Sequence, residues 1–131
     1  MDNLSKLLEK NQDIPYFVFR ILIGLFFLLH GVAKYSFVMS GEAKALIIAA
    51  FVLEIVIGAM IILGLFTRYA SIVGALEMLV AYFMSHLIKD GAIIINPLKN
   101  GGETALLFFA AFLVLLAFGA RIWSLDKMMN R

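Results

Sequence analysis

Four long apolar runs separated by short polar stretches dominate the chain, at residues 16–34, 45–66, 69–88 and 104–122. Each is close to the ~20 residues that carry an α-helix across a ~30 Å hydrocarbon core. Strands are excluded as the spanning element, because an open sheet leaves unpaired backbone groups in lipid. The pattern predicts an all-α polytopic membrane protein, a four-transmembrane-helix up-down bundle, with residues 1–131 as a single membrane domain.

Local signals set the boundaries. Pro15 sits at the start of the first helix, where its missing N–H does no harm. Thr67-Arg68 is a minimal connection, which makes the second and third helices antiparallel neighbours. Pro97 bars a helix from crossing the last long loop. Asn100-Gly101-Gly102-Glu103 reads as an N-cap with Glu three residues on, the capping-box pattern for the fourth helix. Residues 2–13 are charged, with Leu4, Leu7 and Leu8 on one face, the pattern of a short helix lying in the interface. The first run is longer than the ~7–15-residue core of a secretory signal, so it is expected to remain as a helix.

Composition strengthens this picture. The chain is 63% hydrophobic and 15% charged, with a mean hydropathy of +1.00. A small soluble domain keeps too much of its surface wet to hide that much apolar side chain. The net charge of +2 is no argument for a nucleic-acid partner. Cysteine is absent, which removes disulfides, thiol relays and Cys-ligated clusters. Basic residues orient the bundle. Lys6, Lys10, Arg68, Arg121, Lys127 and Arg131 fall on the side of the termini, with Arg20 just inside, against Lys34, Lys44, Lys89 and Lys99 opposite. The bias predicts both termini in the cytoplasm.

Ionisable residues within spans are costly and mark function. Here they are Arg20, His30, Glu54, Glu77 and His86, with Lys34 and Glu103 at the outer rim. Glu54 falls near mid-membrane, ~14 Å from the outer boundary. Arg20, Gly24, Phe27, His30, Gly31 and Lys34 share one helical face, a polar and small-residue stripe that belongs against protein. Arg20 either snorkels to water or pairs with Glu77. Gly24, Gly31, Gly58 and Gly74 read as close-packing points. His86 lies nine residues beyond Glu77, about 180° around an ideal helix, so the two cannot both face the bundle axis without a bend. His30, Lys34, Asn100 and Glu103 are expected together at the outer end, with Glu54 below them.

Several of these segments, taken in order, resemble the DoxX family. They are Arg20-Ile21-Leu22-Ile23-Gly24 through His30-Gly31-Val32-Ala33-Lys34, then Glu54 through Gly58, then Leu63-Gly64-Leu65-Phe66-Thr67-Arg68. Glu77-Met78-Leu79-Val80-Ala81-Tyr82-Phe83 through His86, Asn100-Gly101-Gly102-Glu103 and Trp123-Ser124-Leu125-Asp126 complete the set. Gly119-Ala120-Arg121 departs from the Gly-Pro-Gly of many members, at the exit of the last helix. The resemblance implies a four-helix protein of the bacterial inner membrane, some relatives being small subunits of thiosulfate:quinone oxidoreductases.

The leading expectation is a membrane subunit of a quinone-linked redox system. Glu54 and His30 are the candidate catalytic residues, and Arg20, Lys34, Glu77, His86, Asn100 and Glu103 the candidate ligand-binding ones. His30 or His86 would hydrogen-bond a quinone carbonyl, and Glu54 would move the proton. The expected partners are the bilayer, a hydrophobic small molecule, and a redox subunit or a second copy of the chain. One alternative is haem or metal binding, because His30 and His86 lie at similar depth on two helices. Another is a small transporter or structural membrane partner that uses its carboxylates as a proton relay or as packing glue.

Overall fold

The computed structural model describes residues 2–131. The protein is mostly helical. Helix α1 (Asn3–Lys10) is followed by α2 (Asp13–Ala33), α3 (Tyr35–Met39), α4 (Ala45–Leu63) and α5 (Thr67–Ser85). A two-residue-strand hairpin, β1 (Ile88–Lys89) and β2 (Ala92–Ile93), precedes α6 (Pro97–Asn100), α7 (Glu103–Phe118) and α8 (Leu125–Met128).

The four long helices α2, α4, α5 and α7 pack side by side. The closest pairings are α2 with α4 and α5 with α7, joined by α4–α5 and α2–α7 contacts. Glycines set the first pairing. A Cβ on Gly58 would sit 2.6 Å from the Leu28 backbone nitrogen, and one on Gly24 would sit 2.8 Å from that of Ile62. Gly31 likewise faces the Ile55 backbone at 3.0 Å. In the second pairing Gly74 accommodates the Phe112 ring, 2.6 Å from where its Cβ would stand. The glycines are thus packing points, as their spacing predicted. Phe27, Ile61, Phe112 and Leu115 are fully buried between the helices. The Phe27 ring meets Phe108 at 5.2 Å and Phe112 at 4.8 Å between centroids.

The outward faces are apolar and exposed, including Leu22, Phe26 and Leu29 on α2, Val52 and Val56 on α4, Leu76 and Val80 on α5, and Leu107 and Leu113 on α7. By length and composition, two helical stretches can cross a membrane: Asp13–Met39, of 27 residues, and Ala45–Leu63, of 19. The four spans read from the sequence are therefore matched by four long helices, of which two meet that criterion. Helix α5 has 19 residues, but Thr67, Arg68, Ser71 and Glu77 lower its hydropathy. Helix α7 is apolar but has only 16 residues.

Several boundaries move, each for a local reason. The second apolar run extends to residue 66, yet α4 stops at Leu63. Gly64 there takes a left-handed conformation (φ 62°, ψ 43°), and the Leu65 N–H closes back on the Met60 carbonyl at 2.8 Å. The connection is thus Gly64–Phe66, and Thr67-Arg68 is the first turn of α5 rather than the link. The fourth run reaches residue 122, but Gly119 (φ 69°, ψ −159°) turns the chain out of α7 after Phe118. Asp90 and Gly91, both at positive φ, make the tight turn of the hairpin. No helix runs through Pro97; it opens the short α6 instead, since a first-turn proline lacks only an N–H that would be unpaired. Asn96 caps that turn by accepting the Leu98 N–H at 3.0 Å.

Helix α1 begins on Asp2, whose carboxylate accepts the Ser5 hydroxyl at 2.6 Å and the Ser5 N–H at 2.9 Å. These two bonds hold the Asp2 carboxyl below its ordinary value. Leu4, Leu7 and Leu8 are exposed, leaving the apolar face of α1 without a protein partner among the described residues.

Candidate functional site

At the end of the bundle away from the termini, all four long helices line a cavity of about 570 Å³. That is within the ~300–1,000 Å³ of small-molecule sites. Phe27, Leu53, Met78 and Phe108 supply apolar wall. Five ionisable side chains also line it: His30 and Lys34 from the end of α2, Glu54 from α4, Glu77 from α5, and His86 just beyond α5. Leu46, Val73, Leu76 and Val80 line the α4–α5 side and are themselves exposed on the bundle's outer face. The cavity therefore has a lateral apolar mouth between α4 and α5.

The polar wall has one firm contact. Lys34 Nζ lies 2.5 Å from Glu54 Oε2, and also donates to the His30 carbonyl at 3.2 Å. The Glu54 side chain is 6% exposed and that of Lys34 27%. Lys34 sits one turn past His30 on the inner face of α2, where Gly31 lets the α4 backbone approach and brings Glu54 within reach. Glu77 differs. Both its carboxylate oxygens are buried, and neither has a hydrogen-bond partner. Such a group is costly to leave charged and unmatched; a proton on the carboxyl or a donor in the cavity would satisfy it. The His30 ring stands edge-on to Phe108, 5.4 Å between centroids.

Glu77 and His86 line the same cavity, contrary to the half-turn expectation. Helix α5 ends at Ser85, and His86 is its C-cap with φ −122° and ψ −37°. The 100° periodicity stops applying at that residue. His86 Nδ1 lies 3.4 Å from the Asn100 carbonyl.

Three of the candidate residues do not line the cavity. Asn100 is fully buried, but its side chain is engaged in holding the loop. Its amide donates to the Ile94 carbonyl at 2.7 Å and to the Tyr82 hydroxyl at 3.3 Å, and its oxygen accepts the Gly102 N–H at 2.7 Å. It is the last residue of α6. The N-cap of α7 is Gly102, so the capping box does not form. Glu103 is exposed in the first turn of α7, where its charge faces the positive helix end, and it does not line the cavity.

Arg20 is at the opposite end. It neither snorkels nor pairs with Glu77. Fully buried, it donates through Nη1 to the carbonyls of Ala120 (2.5 Å) and Ile122 (3.1 Å), and through Nη2 to that of Trp123 (2.7 Å). Arg121 and Trp123 hold positive φ, which helps turn these carbonyls inward. Arg20 thus pins the chain after α7 to α2.

Sequence reasoning missed two supports of this framework. The Asp126 carboxylate accepts the Phe66 and Thr67 N–H groups at 2.7 and 2.9 Å, capping α5 from the far end of the chain. Tyr82 donates to the Ile95 carbonyl at 2.6 Å, with Gly102 packed against its ring. The only sequence signal for either was a polar residue next to an apolar run. Among the described residues, no group of three His, Asp or Glu gathers as a metal site would require.

Comparison with known proteins bears on both ends of the bundle. The family model described as DoxX matches residues 16–87. That stretch carries Arg20, His30, Lys34, Glu54, Glu77 and His86. The chain is also 40% identical, over 129 residues, to a Haemophilus influenzae protein described as uncharacterized, covering 92% of this chain and 94% of that one. No solved structure matches.

Proposed function

The chain belongs to the DoxX family of membrane proteins, and from that premise we propose that it binds a lipophilic quinone-like ligand as the membrane subunit of a redox system. In this reading α2, α4, α5 and α7 all cross the bacterial inner membrane, residues 1–131 form one domain, and both termini are cytoplasmic. The exposed apolar faces of all four helices support immersion of the whole bundle. A 16-residue helix is ~24 Å long, and the bilayer thins or flanking side chains snorkel to meet it.

One observation carries the ligand reading: the apolar cavity opens sideways between α4 and α5 and holds five ionisable groups in its wall. A lipophilic ligand enters such a site from the membrane. A quinone has two carbonyl acceptors, and its reduction consumes two electrons and two protons. His30 or His86 donates a hydrogen bond to a carbonyl. Glu54, held by Lys34, and Glu77, whose oxygens lack a partner, supply the proton path. The electrons come from a partner redox subunit, since the chain has no nucleotide-binding motif and no cysteine.

The test is saturable binding of a photoreactive ubiquinone analogue to the purified protein in nanodiscs. Labelling is expected at the cavity wall. Excess unlabelled quinone and the blocking variant Ala81→Trp should each abolish it. Labelling indifferent to both would refute the reading. A haem reading also has an observation in its favour, because His30 and His86 line one cavity. A Soret band in protein purified after haem supplementation, lost in His30→Ala, would replace the quinone reading.

A further inference from the structure

At the end of the bundle that carries the termini, a second hollow of about 920 Å³ lies between the start of α5, the exit of α7 and α8. Four cations line it, Arg68, Arg121, Lys127 and Arg131, against two carboxylates, Asp13 and Asp126. Both carboxylates are already engaged. Asp13 pairs with Arg121 at 2.7 Å, and Asp126 accepts the Phe66 and Thr67 N–H groups. Arg68, Lys127 and Arg131 therefore face the hollow with no carboxylate partner among the described residues. Arg68 donates to the Ala117 carbonyl at 3.2 Å, and Arg131 lies over the Phe66 ring at 4.3 Å, so both heads are held at the wall. The Thr67 hydroxyl, fully buried in the same wall, has no hydrogen-bond partner.

We propose that this hollow binds the phosphate headgroup of an anionic phospholipid. A net side-chain charge of +2, with three cations free of any ion pair and an unpaired hydroxyl in the wall, matches a phosphodiester, which offers one negative charge and several acceptor oxygens. The rim identifies the source. Tyr69 and Phe118 line the hollow and are 72% and 59% exposed. Tyrosine settles at headgroup level, and the exposed Phe118 ring offers apolar surface to an acyl chain. A free phosphate ion makes no use of such a rim. The site is separate from the quinone-like cavity and does not depend on what fills that cavity.

The full chain, purified in detergent and stripped of lipid, is titrated with short-chain phosphatidylglycerol, short-chain phosphatidylcholine or inorganic phosphate. Melting temperature and retained lipid by native mass spectrometry are the readouts. Phosphatidylglycerol should raise the melting temperature and remain bound at one molecule per chain, while the other two should do neither. Each cation contributes about fivefold to affinity, so Arg68→Gln/Lys127→Gln/Arg131→Gln should bind on the order of a hundredfold more weakly. The charge-preserving Arg68→Lys/Lys127→Arg/Arg131→Lys should keep most of the affinity. Should the neutral triple variant lose its helical circular dichroism, Lys127→Gln alone, an exposed side chain, should still cost about fivefold. Equal stabilisation by phosphatidylcholine, full stabilisation by inorganic phosphate, or wild-type affinity in the neutral variants overturns the proposal.

Discussion

Lys34 and Glu54 form a pair whose two halves differ in access to water, and this asymmetry can be tested. Glu54 is 6% exposed and Lys34 27%. Lys34→Met leaves a carboxylate in an apolar wall with no cation beside it. Stranding one partner of a buried pair costs ~3–5 kcal/mol, and the partial exposure of Lys34 places the value near the lower bound, ~3 kcal/mol. At ~4 °C per kcal/mol for a chain of this size, the melting temperature should fall by roughly 12 °C. Glu54→Gln is milder. The Lys34 ammonium keeps the His30 carbonyl and can turn to water, and Gln preserves the shape, so ~1 kcal/mol is expected. Lys34→Met/Glu54→Gln strands no charge and should melt close to the Glu54→Gln protein. The assay is thermal unfolding of all four proteins in one detergent, with binding of the quinone analogue measured in parallel. Binding should be lost in every variant that removes Glu54, including those that melt normally. If Lys34→Met melts like wild type, the pair is not a buried one in the membrane protein. If Glu54→Gln binds normally, Glu54 has no part in the site.

Arg20→Lys should lower stability by about 2–3 kcal/mol, because one ammonium cannot replace a planar fork bonded to three carbonyls; an unchanged melting temperature would contradict that role. Gly58→Ala places a methyl 2.6 Å from a backbone nitrogen that cannot yield, and overpacking of ~1–3 kcal/mol should show as a lower melting temperature. Single cysteines at Asn3 and Asp90 should label from opposite sides of the membrane with an impermeant reagent, in a chain that has no cysteine of its own. Labelling from the same side would mean that α2 and α4 alone cross.

What the sequence made legible follows its periodicity. The apolar runs located the four long helices, and the 100° step placed Arg20, His30 and Lys34 on one face of α2 with the packing glycines. Depth along the second run marked Glu54 as a mid-membrane carboxylate. Periodicity reports faces within one helix and is silent on the register between helices. Hence the sequence placed Glu54 below the cluster that holds Lys34 without singling out Lys34 as its partner. The same limit hid how the Asn100 side chain is used. Its type and position fit an outer polar cluster, but its amide geometry matches the backbone of its own loop. Arg20 was misread because its acceptors are main-chain carbonyls. Those carbonyls turn inward where Arg121 and Trp123 adopt positive φ, and no residue type there announces that conformation.

The placement of the two cavities follows from how α2 is held. At one end Arg20 ties it to the chain after α7, and along its length Gly24 and Gly31 seat it on α4. The α5–α7 pair is closed in turn by Gly74 against Phe112, and the Asp126 carboxylate fixes the start of α5. Each pair is a tight unit, and the end near the termini is tied across both by Arg20, by the Asp126 N–H on the Gly64 carbonyl at 2.8 Å, and by the Asp13–Arg121 contact. The opposite end has no comparable cross-link between the pairs among the described residues, since the Lys34–Glu54 contact lies within the α2–α4 unit. The two units are thus cross-linked at the terminal end, where separation is resisted by polar bonds. At the Lys34 end only apolar contact opposes it, and that is where the cavity lies, between α4 and α5. In the proposed reading, a ligand entering from lipid would part apolar contacts at this seam and meet His30, Glu77 and His86, which line the cavity.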